Sequence, residues 1–403
     1  MGLTITRLGH HGDGVADGPV FVPRTLPGEV VEGEVTGDRM AAPRILTPSP
    51  ERIAAPCPQY KACGGCALQH AREAFVTDWK EGVIRQALAA QGLEAPFHPP
   101  HISPKGARRR ATFSGRRLKK GALVGFHARA SDTVASVPDC LILRPDLTAA
   151  LPVLEELVII AGSRKGEMAL SLTTSEPGLD LSVTGGKPLD GPLQATLGQW
   201  AGANGLARLA WEGEVIAQSA PPAQSFGRAR VTPPPGAFLQ ATAEGQSALQ
   251  SAVAKAVGDA PRVADLFAGC GTFALPLAER AEVHAVESLR DMLAALDHGW
   301  RHASGLKRLT HETRDLFRNP LLPEDLARFD AVVIDPPRAG AEAQAHALAE
   351  STVARIAAVS CNPVTFARDA KILLQGGYRL EWVQMIDQFR FSPHVELAAA
   401  FAR

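Results

Sequence analysis

The chain has 403 residues, enough for two or three domains and for a large core that needs no disulfides. Its 42 basic and 42 acidic residues cancel to a formal charge of zero. That balance excludes a globally basic nucleic-acid binder and leaves room for a local basic patch.

The polar, Gly-rich start over residues 1–18 does not read as a signal peptide, and no later window reads as a transmembrane helix. A soluble cytoplasmic monomer with no membrane partner is expected. Ile5-Thr6-Arg7-Leu8, Pro19-Val20-Phe21-Val22 and the run Glu29 to Val35 have the pattern of short strands. Gly9, Gly12, Gly14, Gly18 and Gly28 punctuate them. Such spacing predicts a small barrel over residues 1–48. Gly12-Asp13-Gly14-Val15-Ala16, followed by Val20-Phe21-Val22-Pro23 and Leu26-Pro27-Gly28-Glu29, resembles the TRAM module, an OB-like RNA-binding barrel. This segment is short of aromatics and of Lys and Arg, so its own hold on RNA is expected to be weak. Pro43 to Pro50 reads as a linker.

Six cysteines follow, and three of them crowd into ten residues: Cys57, Cys63 and Cys66, spaced C-x5-C-x2-C. In a reducing compartment such uneven spacing points to metal or catalysis over disulfides. Gly64 and Gly65 let the backbone wrap tightly around a shared centre. A four-thiolate site needs one more ligand, and Cys140 is the remaining cysteine before the C-terminal region. A four-iron cluster and a structural zinc both fit this spacing.

Lys105 to Lys120 holds Lys105, Arg108, Arg109, Arg110, Arg116, Arg117, Lys119 and Lys120 with no acid among them. Alternating apolar residues nearby (Ala111, Phe113, Leu123, Val124, Phe126) imply a strand pair that presents the charges on one side. RNA phosphates are the expected partner. Residues 151–230 carry apolar runs of mixed α and β character, with Gly178 to Pro192 reading as loop. They complete an α+β central domain over residues 49–230. Pro221-Pro222 and Pro233-Pro234-Pro235 mark the boundary after it.

From residue 231 to 403 strand and helix signals alternate, as in a Rossmann-like α/β domain. Arg262 to Phe267 reads as a strand, Ala268-Gly269-Cys270-Gly271-Thr272 as a glycine turn, Phe273 to Arg280 as a helix. Glu282 to Glu287 is a second strand ending in an acid that can bind ribose hydroxyls. Two glycines in place of G-x-G-x-x-G favour a cofactor without pyrophosphate, such as S-adenosyl-L-methionine. Phe329 to Arg338 is a strand ending in Asp335-Pro336-Pro337-Arg338, whose prolines fix Asp335 at the strand tip. Enzymes that methylate ring nitrogens or exocyclic amines often carry an aromatic where Arg338 stands, which argues against that chemistry. Ala354 to Val359 is a buried parallel strand leading to Ser360-Cys361-Asn362-Pro363, with a helix over Val364 to Leu374. Cys361 is therefore placed at a strand's carboxyl end, where open α/β sheets bind ligands. Tyr378 to Asp387 and His394 to Phe401 read as a strand and a return strand, with His394 and Glu396 at the start of the second.

These motifs, with Phe238-Leu239-Gln240 and His394-Val395-Glu396, resemble those of the RNA uracil-C5 methyltransferase family. The barrel and the C-x5-C-G-G-C run resemble its ribosomal-RNA branch, whose members carry a four-iron, four-sulfur cluster. The resemblance implies a 5-methyluridine-forming enzyme, with rRNA as substrate ahead of tRNA. It implies that Cys57, Cys63, Cys66 and Cys140 hold the cluster, ahead of zinc. Gln240, Phe267, Thr272, Glu287 and Asp335 would line the S-adenosyl-L-methionine site, with a further contact near Arg314-Asp315. Family members often have Asn where Thr272 stands. Cys361 would be the nucleophile and Glu396 the base, with His394 beside it. RNA cytosine-C5 methylation and a non-catalytic iron-sulfur RNA-binding role are the alternatives.

Overall fold

Four β-sheets organise the chain in the computed structural model, which describes residues 2–403. The first is an antiparallel five-stranded sheet of β1 (Leu3–Leu8), β2 (Gly14–Ala16), β3 (Val20–Val22), β4 (Val30–Glu32) and β5 (Arg44–Thr47), in the order β3-β2-β1-β4-β5. Ile5, Ala16, Val22, Val31 and Met40 fill its interior. Gly14 is required there: a Cβ would lie 2.1 Å from the Thr25 hydroxyl. The stretch expected as a linker instead supplies β5. Its prolines, Pro43 and Pro48, flank the strand, and Ile45 packs on the small core. Asp13, in the loop before β2, binds Arg39 at 3.4 Å and also Arg129, which ties this sheet to the middle of the chain.

α1 (Glu73–Ala90) and β6 (Phe97–Ile102) do not join the middle sheet, although residues 49–230 read as one domain. Ile84 and Leu88 of α1 pack into the C-terminal core, and β6 becomes an edge strand of the C-terminal sheet. The middle sheet has seven strands in the order β13-β12-β11-β10-β7-β8-β9. They are β7 (Arg110–Arg117), β8 (Ala122–His127), β9 (Val134–Ala135), β10 (Glu167–Ser175), β11 (Gly178–Thr184), β12 (Arg208–Trp211) and β13 (Glu214–Gln218). Helices α2 (Pro145–Ala149), α3 (Leu151–Ala161) and α4 (Gly191–Ala203) contribute Leu147, Leu154, Leu157 and Leu197 to its core. β11 replaces part of the expected loop. Asp180 of β11, read as a loop residue, forms a two-pronged ion pair with Arg208 of the neighbouring parallel strand at 2.8 and 2.7 Å.

The basic run does not lie on one open face. Arg109 is buried, and its guanidinium donates to the Gln240 carbonyl at 3.0 Å and to Gln246 Oε1 at 2.7 Å. Arg110 donates to the Leu239 carbonyl at 2.8 Å. Arg116 pairs with Glu167 at 2.6 Å, and Arg117 donates to the Ile159 carbonyl. Strand alternation turns some of these side chains inward, where protein acceptors satisfy them. Lys119 and Lys120 remain exposed in the turn between β7 and β8.

The hairpin β14 (Gln224–Phe226) and β15 (Ala229–Val231) buries Phe226, Ala229 and Val231 against the C-terminal core. Then follow α5 (Ala243–Val257), β16 (Arg262–Leu266), α6 (Ala274–Leu277), β17 (Glu282–Glu287), α7 (Arg290–Arg301) and β18 (Leu309–Thr313). The chain closes with α8 (Pro323–Leu326), β19 (Ala331–Ile334), α9 (Glu342–Glu350), β20 (Arg355–Ser360), α10 (Pro363–Gln375), β21 (Arg379–Asp387) and β22 (Leu397–Ala402). The eight-stranded order is β18-β17-β16-β19-β20-β22-β21-β6, and β22 alone runs against its neighbours. Hydrophobic cores lie on both faces. This is the class I methyltransferase arrangement of a Rossmann-like sheet. Its strand order reverses at β16, so a crevice opens beyond the ends of β16 and β19. The expected helix from Phe273 shrinks to α6, and the last strand begins at Leu397, leaving His394 and Glu396 in the loop before it.

That loop is anchored from below. Lys80 of α1 is wholly buried and donates to Asp387 at 2.7 Å and to the Phe389 carbonyl at 3.1 Å. Removing either partner strands the other charge in the core, at a cost of about 3–5 kcal/mol. No helix among the described residues is long and apolar enough to cross a membrane.

Candidate active site

β16 ends at Leu266, and the chain then turns sharply. Phe267 has φ +63°, a conformation that costs a bulky residue energy and that collects at functional sites. Gly269 and Gly271 follow with φ +55° and +96°. Glu287, at the end of β17, closes the turn by accepting from Gly269 N at 3.0 Å, Ser288 N at 2.7 Å and Leu289 N at 3.0 Å. The ring of Phe317, just after β18, tilts against Phe267 at 5.5 Å. Asp335 leaves β19 and donates its backbone N–H to the Leu266 carbonyl at 3.3 Å. Burial in the cleft pushes the Asp335 carboxyl up to about 7. Beneath it Asp265 is fully buried, and burial together with the Asp335 charge raises its carboxyl as well.

Ser360-Cys361-Asn362-Pro363 folds as it does for local reasons. β20 ends at Ser360, whose hydroxyl accepts from Asn362 N at 3.1 Å. Asn362 caps α10 by accepting from Val364 N at 3.1 Å, and Pro363 occupies the first helical position, where its missing N–H costs nothing. The Asn362 amide also donates to the Arg338 carbonyl at 2.8 Å. Cys361 is left between strand and cap, half-buried at the cleft wall. Burial raises its thiol pKa, the charges of Glu396 and Asp335 raise it further, and Arg338 opposes them.

Glu396 opens onto the same cleft. Its carboxyl is buried, and burial with the neighbouring Asp335 charge pushes it up to about 8, against the hydrogen bond from Gln388. His394 accepts at Nδ1 from Arg338 at 3.1 Å, and burial and the Arg338 charge lower its pKa, so the ring stays neutral.

One cleft of about 1130 Å³ joins these parts. Its walls include Gln240, Phe267, Thr272, Glu287 and Asp335, then Cys361, His394 and Glu396, together with Cys63, Cys66 and Cys140. Arg314, Asp315 and Phe317 line it as well. Cys57 is the one candidate residue outside this lining. The sequence reading missed Phe317 and Gln388. An aromatic in the loop after a strand carries no motif, and a lone glutamine beside a strand gives no periodic signal.

None of the four cysteines forms a disulfide. Cys63 accepts from Gly65 N at 3.3 Å. Gly64 passes so close to the end of β8 that a Cβ would lie 2.7 Å from the His127 carbonyl. Burial pushes the Cys66 thiol up to about 12, with smaller contributions from Cys140, Cys63 and Cys57, so the four sulfurs feel one another's charge. Burial lowers the pKa of Arg108, and Cys140 and Cys66 act on it in the opposite sense. Among the described residues no three Cys, His, Asp or Glu close tightly enough around one point to grip a single ion.

A family model described as tRNA (Uracil-5-)-methyltransferase matches residues 302–403. An uncharacterized RNA methyltransferase of Brucella suis biovar 1 is 44% identical over 404 residues, covering 100% of this chain and 97% of the relative. The 23S rRNA (uracil(1939)-C(5))-methyltransferase RlmD of Vibrio cholerae serotype O1 is 33% identical, covering 100% of this chain and 95% of the relative. The crystal structure of Pyrococcus abyssi tRNA (uracil-54, C5)-methyltransferase with S-adenosyl-L-homocysteine superposes with a TM-score of 0.75 at 22% identity. It covers 100% of this chain and 99% of its own, and so supports the fold. With full-length likeness of this kind, the chain belongs to the family of S-adenosyl-L-methionine-dependent RNA uracil-C5 methyltransferases.

Proposed function

We propose that this protein forms 5-methyluridine in RNA, with 23S rRNA as the substrate, through a covalent bond between Cys361 and uracil. The observation that carries this reading is that Cys361 and Glu396 open onto the same cleft as the expected donor-binding residues. Uracil C5 is a weak nucleophile. Addition of the Cys361 thiolate to C6 makes C5 enolate-like. S-adenosyl-L-methionine supplies the methyl group on a sulfonium. Gln240, Phe267, Thr272, Glu287 and Asp335, with Asp315 and Phe317, would hold it, and the acidic, aromatic lining suits its cationic sulfonium. Glu396 then takes the C5 proton. The C–H electrons restore the C5–C6 double bond, and the S–C6 pair returns to Cys361. The uracil must leave its stack to reach so recessed a pocket.

The N-terminal sheet over residues 1–48 and the middle sheet of β7 to β13 would hold the surrounding RNA, with residues 231–403, joined by α1 and β6, as the catalytic unit. The rRNA assignment rests on the Vibrio relative, and the tRNA-directed relatives keep tRNA as the second reading. Methyl transfer from labelled donor to 23S rRNA and to tRNA, followed by nucleoside digestion, tests both. Labelled 5-methyluridine from rRNA is expected, and 5-methylcytidine as the product would sink the uracil assignment.

Cys57, Cys63, Cys66 and Cys140 would hold a four-iron, four-sulfur cluster. A cube binds each thiolate at a separate corner, which suits four cysteines whose sulfurs act on one another's charge. Arg108 would offset its negative charge, and the Gly65 N–H would donate to the Cys63 sulfur. Anaerobically purified protein is expected to be brown, with broad visible absorption that bleaches on reduction. Colourless protein holding stoichiometric zinc would overturn the cluster.

A further inference from the structure

Gln388 has no part in the chemistry just described, yet the hydrogen bonds of the site meet on it. It is 1% exposed and directly follows β21. Its Oε1 accepts from Ala241 N at 2.8 Å and from Thr242 N at 3.4 Å. Two backbone donors on one oxygen fix which end of the carboxamide is which. The Nε2 end is therefore committed to the other side, where it meets Gln240 Oε1 at 2.5 Å and Oε2 of Glu396. An amide nitrogen carries two N–H bonds, so it serves both acceptors at once. With its oxygen held, Gln240 has N–H donors left to offer an occupant of the cleft.

We infer that Gln388 is a positioning residue that holds the Glu396 carboxylate and the Gln240 carboxamide in one fixed arrangement at the cleft wall. The inference rests on the reading of Glu396 as proton acceptor. The groups facing Glu396 are Asp335 beyond β19, Cys361 beyond β20, Asp387 at the end of β21 with its partner Lys80, and the Arg338–His394 pair. Asp335 and Asp387 both disfavour a second negative charge, and the Gln388 N–H favours it. Gln388 thus supplies the opposing contribution that keeps Glu396 able to ionise near neutral pH. The same amide ties this acceptor to Gln240, whose donor suits an oxygen acceptor, either a base carbonyl or the carboxylate of the methyl donor.

The test is the pH dependence of kcat for Gln388→Met, which keeps the length and loses the donor, beside Gln388→Asn, which keeps the amide and loses the reach. Both are expected to move the acidic limb of the profile upward by about one pH unit or more and to lower kcat at pH 7 by about tenfold, with recovery at high pH. An accompanying rise in KM for S-adenosyl-L-methionine assigns Gln240's donor to the methyl donor, and a rise in KM for RNA assigns it to the base. A loss that is uniform across pH in both variants, or an unshifted limb, overturns the positioning role. Glu396→Gln run in parallel separates the two readings. If it turns over like the wild type, the proton-acceptor assignment falls. If it stalls while neither Gln388 variant shifts the limb, the positioning role alone falls.

Discussion

Cys361→Ala is expected to lose methyl transfer by about three orders of magnitude or more while still binding donor and RNA. The reason is chemical. Without a thiolate at C6 there is no electron density at C5 to take up the methyl group. Serine at the same place is no remedy, since a hydroxyl is far less ionised and less nucleophilic. The substitution is mild for the fold. Cys361 sits half-buried between strand and helix cap, and the turn is held by Ser360, Asn362 and Pro363. Unchanged thermal stability and donor affinity, with the activity gone, is the predicted pattern. Labelled methyl still reaching RNA at a comparable rate would remove the covalent mechanism.

Glu396→Gln is expected to stall one step later. Addition and methylation proceed, the C5 proton stays, and the Cys361–C6 bond persists. Turnover should fall by about 10²- to 10⁴-fold, and a methylated protein–RNA adduct should survive on a denaturing gel. Glutamine has the shape of glutamate, so its carbonyl can accept the Gln388 N–H that Glu396 accepts. The wild-type pH profile follows from the same groups. Cys361 and Glu396 both work deprotonated, and both are pushed upward, Glu396 to about 8. Raising the pH therefore supplies the reactive forms, and single-turnover rates should climb as it passes through the Glu396 value of about 8. Release of product by Glu396→Gln at the wild-type rate, with no adduct, would count against the assignment.

Much of the catalytic unit could be read from local pattern. Arg262 to Leu266, Ala331 to Ile334 and Arg355 to Ser360 are short apolar runs followed by a Gly, Asp-Pro or Cys-Asn-Pro turn, and each is a strand of the large sheet. Other elements were hidden because they are stabilised by distant partners. β5 exists because Ile45 has the small core of the N-terminal sheet to pack on, and β11 because Asp180 has Arg208 beside it. α1 and β6 read as part of the middle region, yet Ile84, Leu88 and the pairing of Val383 with Phe97 bind them to the C-terminal sheet. Charge alone misplaced Arg109, whose guanidinium is consumed by Gln240 and Gln246, far along the chain.

By itself the sequence determined the main strands and turns of the C-terminal region, the place of Cys361 at a strand end, and the family. Those are short-range properties: apolar periodicity, turn residues and motifs, each confined to about ten neighbouring positions. Only the tertiary structure decided that Cys361, Glu396 and Gln240, Phe267, Thr272, Glu287 and Asp335 share one cleft that runs on to Cys63, Cys66 and Cys140. It alone decided that Gln388 joins Glu396 to Gln240. Carboxamides and buried carboxylates act through groups that the fold brings from remote parts of the chain, and a linear pattern carries no record of that convergence.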